Sequence, residues 1–164
     1  MRPGAAPALL GLGAAAALRD GRVMLEDVWQ DEGRRLRDAL DGAAASSDRM
    51  GLLLAALRAR TLRAAAPDPL VRAAVDGLGD PLARVDMLAC ELGVSARQLR
   101  RRFEAAVGYG PKRRARVLRL QRAMDAARGG EELTRAAFAA GYADHAHFAH
   151  ECRALAGAPA TALV

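Results

Sequence analysis

The sequence predicts an all-α protein, and three observations support this fold class. Alanine is abundant, whereas aromatic residues make up only 4% of the 164 residues. Alternating runs rich in β-branched and aromatic side chains, which are typical of strands, are absent. Apolar residues recur instead at helical spacing, between glycines and prolines that end each run. We therefore expect closely packed helices.

A short helical arm is predicted over residues 1–80. The apolar stretch 6–18 contains Pro and Gly and is too short to span a membrane, so we expect a cytoplasmic protein without membrane contact. Helices are predicted over about 25–40, from an N-cap at Ser47 to the "PDP" at 67–69, and over about 70–78. Their apolar faces are expected to pack together or on a partner.

Residues 81–109 predict a first helix-turn-helix unit. The segment "LARVDMLACELG" places apolar residues on one side of a helix that ends at Gly93. The next helix starts after Ser95, which forms a capping box with Gln98 three residues later. A helix, a glycine-containing turn and a capped helix together make this motif.

The same unit occurs again at 131–164. The stretch "SARQLRRRFEAAVG" from Ser95 aligns without gaps on "DHAHFAHECRALAG" from Asp144, so the caps and the closing glycines coincide. Gly141 in the second turn corresponds to Gly93 in the first. Two copies of one unit are therefore predicted.

A single helix over 111–128 is predicted to connect the two units. Pro111 suits the first helical turn, and Gly129 and Gly130 follow its end. A helix of this length spans about 27 Å. Because successive major-groove faces of B-DNA lie about 34 Å apart, such a helix suits the spacing of two groove-reading units.

Positive charge is concentrated in one segment. Residues 95–122 contain ten basic residues and one acidic residue, whereas the rest of the chain contains 15 basic and 18 acidic residues. A local basic stripe indicates a polyanionic partner, and nucleic acid is the commonest one. A solvated charged face is the alternative interpretation.

The candidate DNA contacts follow from the helical wheel of the first unit. Leu99 and Phe103 share one face, and the opposite face carries Arg97, Arg100 and Arg101, which are suited to bidentate hydrogen bonds with guanine. Glu104 is the only acid expected to pair with these arginines. Candidate phosphate contacts lie beside that face or at the start of the connecting helix, namely Arg102, Lys112, Arg113, Arg114 and Arg116.

The second unit presents a less positive face. With Phe148, Cys152 and Leu155 turned inward, its outward residues are Ala146, His147, His150 and Arg153, with His145 near the helix start. We expect this unit to contact the DNA backbone or to read bases weakly.

Residue patterns for other chemistry are absent. Cys90 and Cys152 have no disulfide or zinc-ligand spacing, and a complete metal shell from the three histidines is hard to assemble. Cys152 aligns with Phe103, which favours a small buried hydrophobe over a nucleophile. Paired carboxylates, a phosphate-binding glycine loop and a catalytic triad are not evident. We therefore expect neither enzymatic activity nor a cofactor nor a metal.

The two motifs also resemble the paired helix-turn-helix region of AraC-type (AraC/XylS) transcription regulators. The resemblance covers residues 81–164 and is carried by "ELGVSARQLRRRFEAAVGYGPKRRARVLRLQRA" and "AGYADHAHFAHECRALAG". It implies that both recognition helices enter successive major-groove segments of a promoter. It places the second set of base contacts at His145, Ala146 and His150, and the first at the arginines above. The sequence departs from the family at Cys152, where Phe is usual, and at His150, where Arg is common.

Sequence-specific binding of double-stranded promoter DNA is the function that these features predict, with RNA polymerase as a further partner that such a role implies. The resemblance also implies that the N-terminal sensor domain such regulators usually carry is missing and that residues 1–80 are the remnant of a preceding domain. The sequence therefore identifies no effector. The alternative is a protein-interaction module that acts through the helical arm and binds DNA weakly.

Overall fold

The structure is a computed structural model that describes residues 3–11, 15 and 21–164. The described residues contain α-helices, a short 3-10 helix over Ala160–Ala162, and no strand, which confirms the all-α prediction. Residues 12–14 and 16–18 of the apolar opening stretch lie outside the described residues. The α-helices are α1 Ala6–Leu10, α2 Leu25–Gly42, α3 Ser46–Arg63, α4 Pro69–Gly77, α5 Val85–Glu91, α6 Ala96–Val107, α7 Pro111–Arg128, α8 Leu133–Ala139 and α9 His145–Ala156.

The chain divides into two compact units, and the boundaries of these units differ from those of the sequence motifs. One unit comprises residues 1–73 and 97–109, and the other comprises 74–96 and 110–164. The helix α6 therefore belongs with the N-terminal residues, whereas α5, α7, α8 and α9 belong to the second unit. The boundary at residue 80, the first motif at 81–109 and the second at 131–164 stay predictions from the sequence.

In the compact unit that contains residues 1–73, α2 and α3 pack against each other around Trp29. The guanidinium carbon of Arg60 lies 4.6 Å from the centroid of the Trp29 ring, and the same guanidinium pairs with Glu32 at 3.0 Å. The helix α2 is not continuous as predicted, because Gln30 has a non-helical backbone (φ 51°, ψ −127°). A Cβ atom on Gly33 would lie 2.7 Å from the Glu26 Cα, so the first turn of α2 closes tightly against this glycine.

The predicted N-cap of α3 at Ser47 is wrong. The helix begins one residue earlier, at Ser46, after an extended Ala45 that provides no side-chain cap. The chain is tied there by Arg49, whose Nε donates to the carbonyl oxygens of Leu40 and Ala43. A link from the helix back to the end of α2 thus replaces the expected cap.

In the compact unit that contains residues 110–164, α7 packs along α8 and α9, and all three helices contribute to one apolar cluster. The connecting helix has the predicted bounds, from Pro111 in its first turn to Arg128 before the two glycines. Its Ala123 is fully buried, as are Phe148 and Cys152 of α9. The remaining buried members of the cluster are Leu120, Met124, Ala137, Tyr142 and Ala160.

The turns after α5 and α8 share one geometry, which supports the internal repeat. Gly93 and Gly141 both have positive φ, at 68° and 90°. The next amide, of Val94 or Tyr142, donates to a carbonyl five residues back, at 3.0 Å and 3.1 Å. This is the bond of a glycine-ended helix, in which the left-handed residue lets the chain turn sharply. The aligned glycines therefore occupy equivalent turns.

Replacing Gly141 with alanine should destabilise the second unit by about 1–2 kcal/mol. A Cβ at this position meets no atom within 4 Å, so the cost comes from the left-handed backbone and not from a clash. Thermal or denaturant unfolding of the full chain measures the change. Gly141→Asn is the matched control, because asparagine tolerates this conformation better and should lose less. Equal losses for the two variants would contradict this explanation.

Candidate nucleic-acid interface

The helix α6 separates a buried face from a charged one. Leu99 and Phe103 are fully buried, whereas Arg97, Arg100 and Arg101 are exposed. The Nε of Arg100 donates to Glu104 at 2.9 Å, but this pair is local and the arginine side chain stays 72% exposed. Arg97 and Arg101 form no ion pair with any residue that the structure describes. The predicted row of base-contacting arginines is therefore accessible.

Arg102, in contrast, is already bound to a carboxylate. Its Nε and Nη2 donate to the two oxygens of Asp68, each at 2.7 Å. Asp68 is therefore a carboxylate partner of this helix that the sequence analysis did not identify. Asp68 also accepts from the Leu70 amide at the start of α4, and the bond from Arg102 is the main cause that lowers the pKa of this carboxyl. A phosphate contact by Arg102 would require it to exchange Asp68 for the phosphate.

The helix α9 repeats the two-faced arrangement with different chemistry. Asp144 caps its first turn by accepting from the His147 amide at 2.7 Å, as predicted from the alignment of the two caps. Phe148 and Cys152 are fully buried, and the predicted base contacts His145, Ala146 and His150 are exposed. The ring of His147 lies edge-on to Tyr142, with centroids 5.2 Å apart.

The sequence analysis missed a charged residue on this helix, Glu151. Its side chain is only 7% exposed and accepts from Arg116 of α7, whose Nη2 lies 2.7 Å from its Oε1. That hydrogen bond is the main cause that lowers the pKa of the Glu151 carboxyl. The position of Glu151 beside the buried face could have been recognised from helical spacing. Glu151 follows Phe148 by three residues and precedes Leu155 by four, which places it at the edge of that face.

The predicted phosphate contacts at the start of α7 fall into two groups. Lys112 and Arg113 are exposed and form no ion pair within the described residues. The Nε of Arg114 is buried without a hydrogen-bond partner, and Arg116 is bound to Glu151. Lys112 and Arg113 are thus the members of the predicted set that are free to contact a polyanion.

The cysteines and histidines show no arrangement for catalysis or metal binding in the part of the chain that the structure describes. Burial raises the pKa of the Cys152 thiol, which disfavours the reactive thiolate form. Within the described ranges, no three side chains of His, Cys, Asp or Glu lie close enough together to hold a metal ion. Cys90 is exposed and forms no disulfide.

None of the helices in residues 3–11, 15 and 21–164 is both long enough and apolar enough to cross a membrane.

A comparison with protein families supports this interpretation of the C-terminal half. The family model described as a helix-turn-helix domain matches residues 88–164. This match supports a helix-turn-helix region of the AraC type at these residues. This class of domain binds DNA in transcription regulation. No curated protein sequence and no solved structure gives a significant match to the chain.

The bond between Asp68 and Arg102 should contribute stability only while the carboxyl is ionised. Because the pKa of Asp68 is lowered in the folded protein, its contribution is complete above the unfolded value near 3.9 and is lost as the pH falls through the folded value. Asp68→Asn should therefore lower the melting temperature at pH 7, and the difference from the parent protein should shrink below about pH 4. Melting curves at several pH values measure this. A difference that stays constant down to pH 2 would contradict the assignment.

Proposed function

We propose that this protein binds double-stranded promoter DNA in a sequence-specific manner and thereby regulates transcription. The exposed row of α6 carries the proposal, because Arg97 and Arg101 lie opposite a fully buried face and have no ion pair among the described residues. A guanidinium without a partner is available for a bidentate contact with guanine in the major groove. The match of residues 88–164 to a DNA-binding domain supports the same function.

Each recognition helix has its own part in this proposal. The helix α6 reads bases through Arg97, Arg100 and Arg101, and α9 follows with His145, Ala146 and His150. The two helices enter successive major-groove segments. Lys112 and Arg113 at the start of α7 neutralise phosphates and supply affinity that does not depend on sequence, and Arg114 joins them once its side chain turns outward.

The proposal extends to the setting of the protein. It acts in the cytoplasm on promoter DNA, has no catalytic activity, needs neither cofactor nor metal, and influences RNA polymerase at the promoter. The sequence and the described residues identify no effector.

A protein-interaction module is the second candidate, and one observation favours it. The helix α3 exposes several large apolar side chains, and Leu62 is 88% exposed. Met50, Leu54 and Leu57 are also exposed on this helix. An arm of this kind would bind a protein partner, and the DNA contacts would then be too weak to matter.

Salt-titrated binding to a random-sequence duplex separates the two candidates. The DNA-binding proposal expects measurable affinity at low salt and a linear fall of log K with log salt concentration, whereas the interaction module expects little affinity at any salt. Selection of bound sequences from a random duplex pool then tests specificity. Recovery of an unbiased pool would contradict sequence-specific binding.

Replacement of single arginines should distinguish base contacts from phosphate contacts. Arg101→Ala should relax the preference at one base pair by about 1–3 kcal/mol, because the buried contact with the base edge is lost. Arg113→Ala should lower affinity for all sequences and reduce the salt slope by about 0.9. Binding assays on selected and scrambled duplexes measure both effects. If the two variants exchanged these effects, the roles assigned to α6 and α7 would be reversed.

A further inference from the structure

The proposed recognition helix α9 contains one buried charged residue, Glu151, which forms an ion pair with Arg116 of α7. The Glu151 side chain is 7% exposed, whereas Arg116, its partner, is 44% exposed. The Nε of Arg116 lies 3.1 Å and 3.0 Å from the two carboxylate oxygens, and its Nη2 lies 2.7 Å from Oε1. Three contacts from one guanidinium to one carboxylate make this a fork and not a single hydrogen bond.

Because the Glu151 carboxylate is buried, its contact with Arg116 must compensate for the loss of hydration. Removing a carboxylate from water is costly unless a cation with good hydrogen-bond geometry compensates it. His147 and Arg119 also act electrostatically on Glu151. The His147 ring lies edge-on to Tyr142, and the Arg119 guanidinium lies over the Tyr142 ring at 5.7 Å from its centroid. Arg116 is therefore the residue that satisfies Glu151, and α9 must keep the orientation in which the two meet.

Apolar packing also joins α9 to α7, and it is less directional than the fork. Phe148 and Cys152 pack in a cluster with Leu120, Ala123 and Met124 of α7. Apolar contacts specify burial but tolerate small rotations and shifts of a helix, whereas a guanidinium-carboxylate fork has a fixed planar geometry. In the described part of the chain, the pair of Arg116 and Glu151 is the one ion pair that joins α7 to α9.

We propose that Arg116 is a positioning residue that, through Glu151, fixes the rotation of α9 and thereby determines which bases this helix reads. The inference rests on the proposed function, since it concerns the second recognition helix of a DNA-binding domain. Glu151 directly follows His150, a proposed base contact, so a small rotation of α9 displaces the reading face. Arg116 then contributes to specificity without contacting phosphate, contrary to the prediction from the sequence.

The two roles of Arg116 make opposite predictions for a change that keeps its charge. Lysine contacts a phosphate as a point charge almost as well as arginine does, but it cannot form the fork with Glu151. A positioning residue is therefore sensitive to Arg116→Lys, and a phosphate contact is not. The double variant Arg116→Gln with Glu151→Gln keeps the net charge and replaces the ion pair by two amides.

The experiment selects bound sequences from a random duplex pool with the full-length parent protein and both variants, and measures the salt slope of each. Arg128→Lys is the matched control, because it changes an exposed arginine of α7 outside the proposed interface. Thermal unfolding of every protein confirms that it is folded. If the double variant does not fold, Arg116→Lys alone decides the question.

The inference expects both variants to lose discrimination by about tenfold at the base pairs read by α9, with those read by α6 unchanged. The salt slope should stay within about 0.3 of the parent value. Normal preferences with Arg116→Lys, together with a slope reduced by about 0.9 in the double variant, would overturn the inference and make Arg116 a phosphate contact. Equal losses at both sets of base pairs would overturn it as well, in favour of general destabilisation. If the parent protein itself selects no sequence, the proposed function fails and the inference fails with it.

Discussion

The burial of one face of α9 against α7 is the constraint on which the second unit depends. Phe148 and Cys152 are fully buried, and the residues that meet them are mostly small or flexible, such as Ala123 and Met124. Small side chains at a helix contact allow the axes to approach closely. Once these residues are buried, the 3.6-residue period leaves the opposite face of α9 in solvent, and that face carries the proposed reading residues. The exposure of this face thus follows from a packing requirement.

The glycine turns add a second constraint, because each ends one helix sharply, shortly before the next helix begins. A residue with positive φ allows the amide that follows Gly93 or Gly141 to bond a carbonyl five residues back, which ends one helix within a single turn. The Asp144 side chain then satisfies a free amide at the start of α9. A glycine that ends one helix and a capping side chain that starts the next lie within a few residues of each other, and together they restrict the path of the chain.

Much of this was predictable from the sequence because it depends on local rules. Helical periodicity, the prolines and glycines around α7 and the cap at Asp144 each act within a few residues, and these predictions are confirmed. What was not predictable depends on residues far apart in the chain. The partner of Arg102 is Asp68, 34 residues away, and that of Arg116 is Glu151, 35 residues away. Charge counting within a segment cannot identify such partners.

This difference changes what a basic segment means for binding. A charge count alone combines the ten basic residues between 95 and 122 into one positive stripe. In the structure, the protein's own carboxylates engage some of them, and an arginine already held by a carboxylate must give up that bond before it contacts phosphate. Among the described residues, Arg97, Arg101, Lys112 and Arg113 are exposed and have no ion pair. Arg97 and Arg101 lie together on the face of α6 opposite its buried residues, and the other two lie at the start of α7. Ion pairs with the protein's own carboxylates therefore limit which basic side chains can contact DNA. The basic side chains that remain available are fewer, and occupy a smaller part of the surface, than the total charge of the segment indicates.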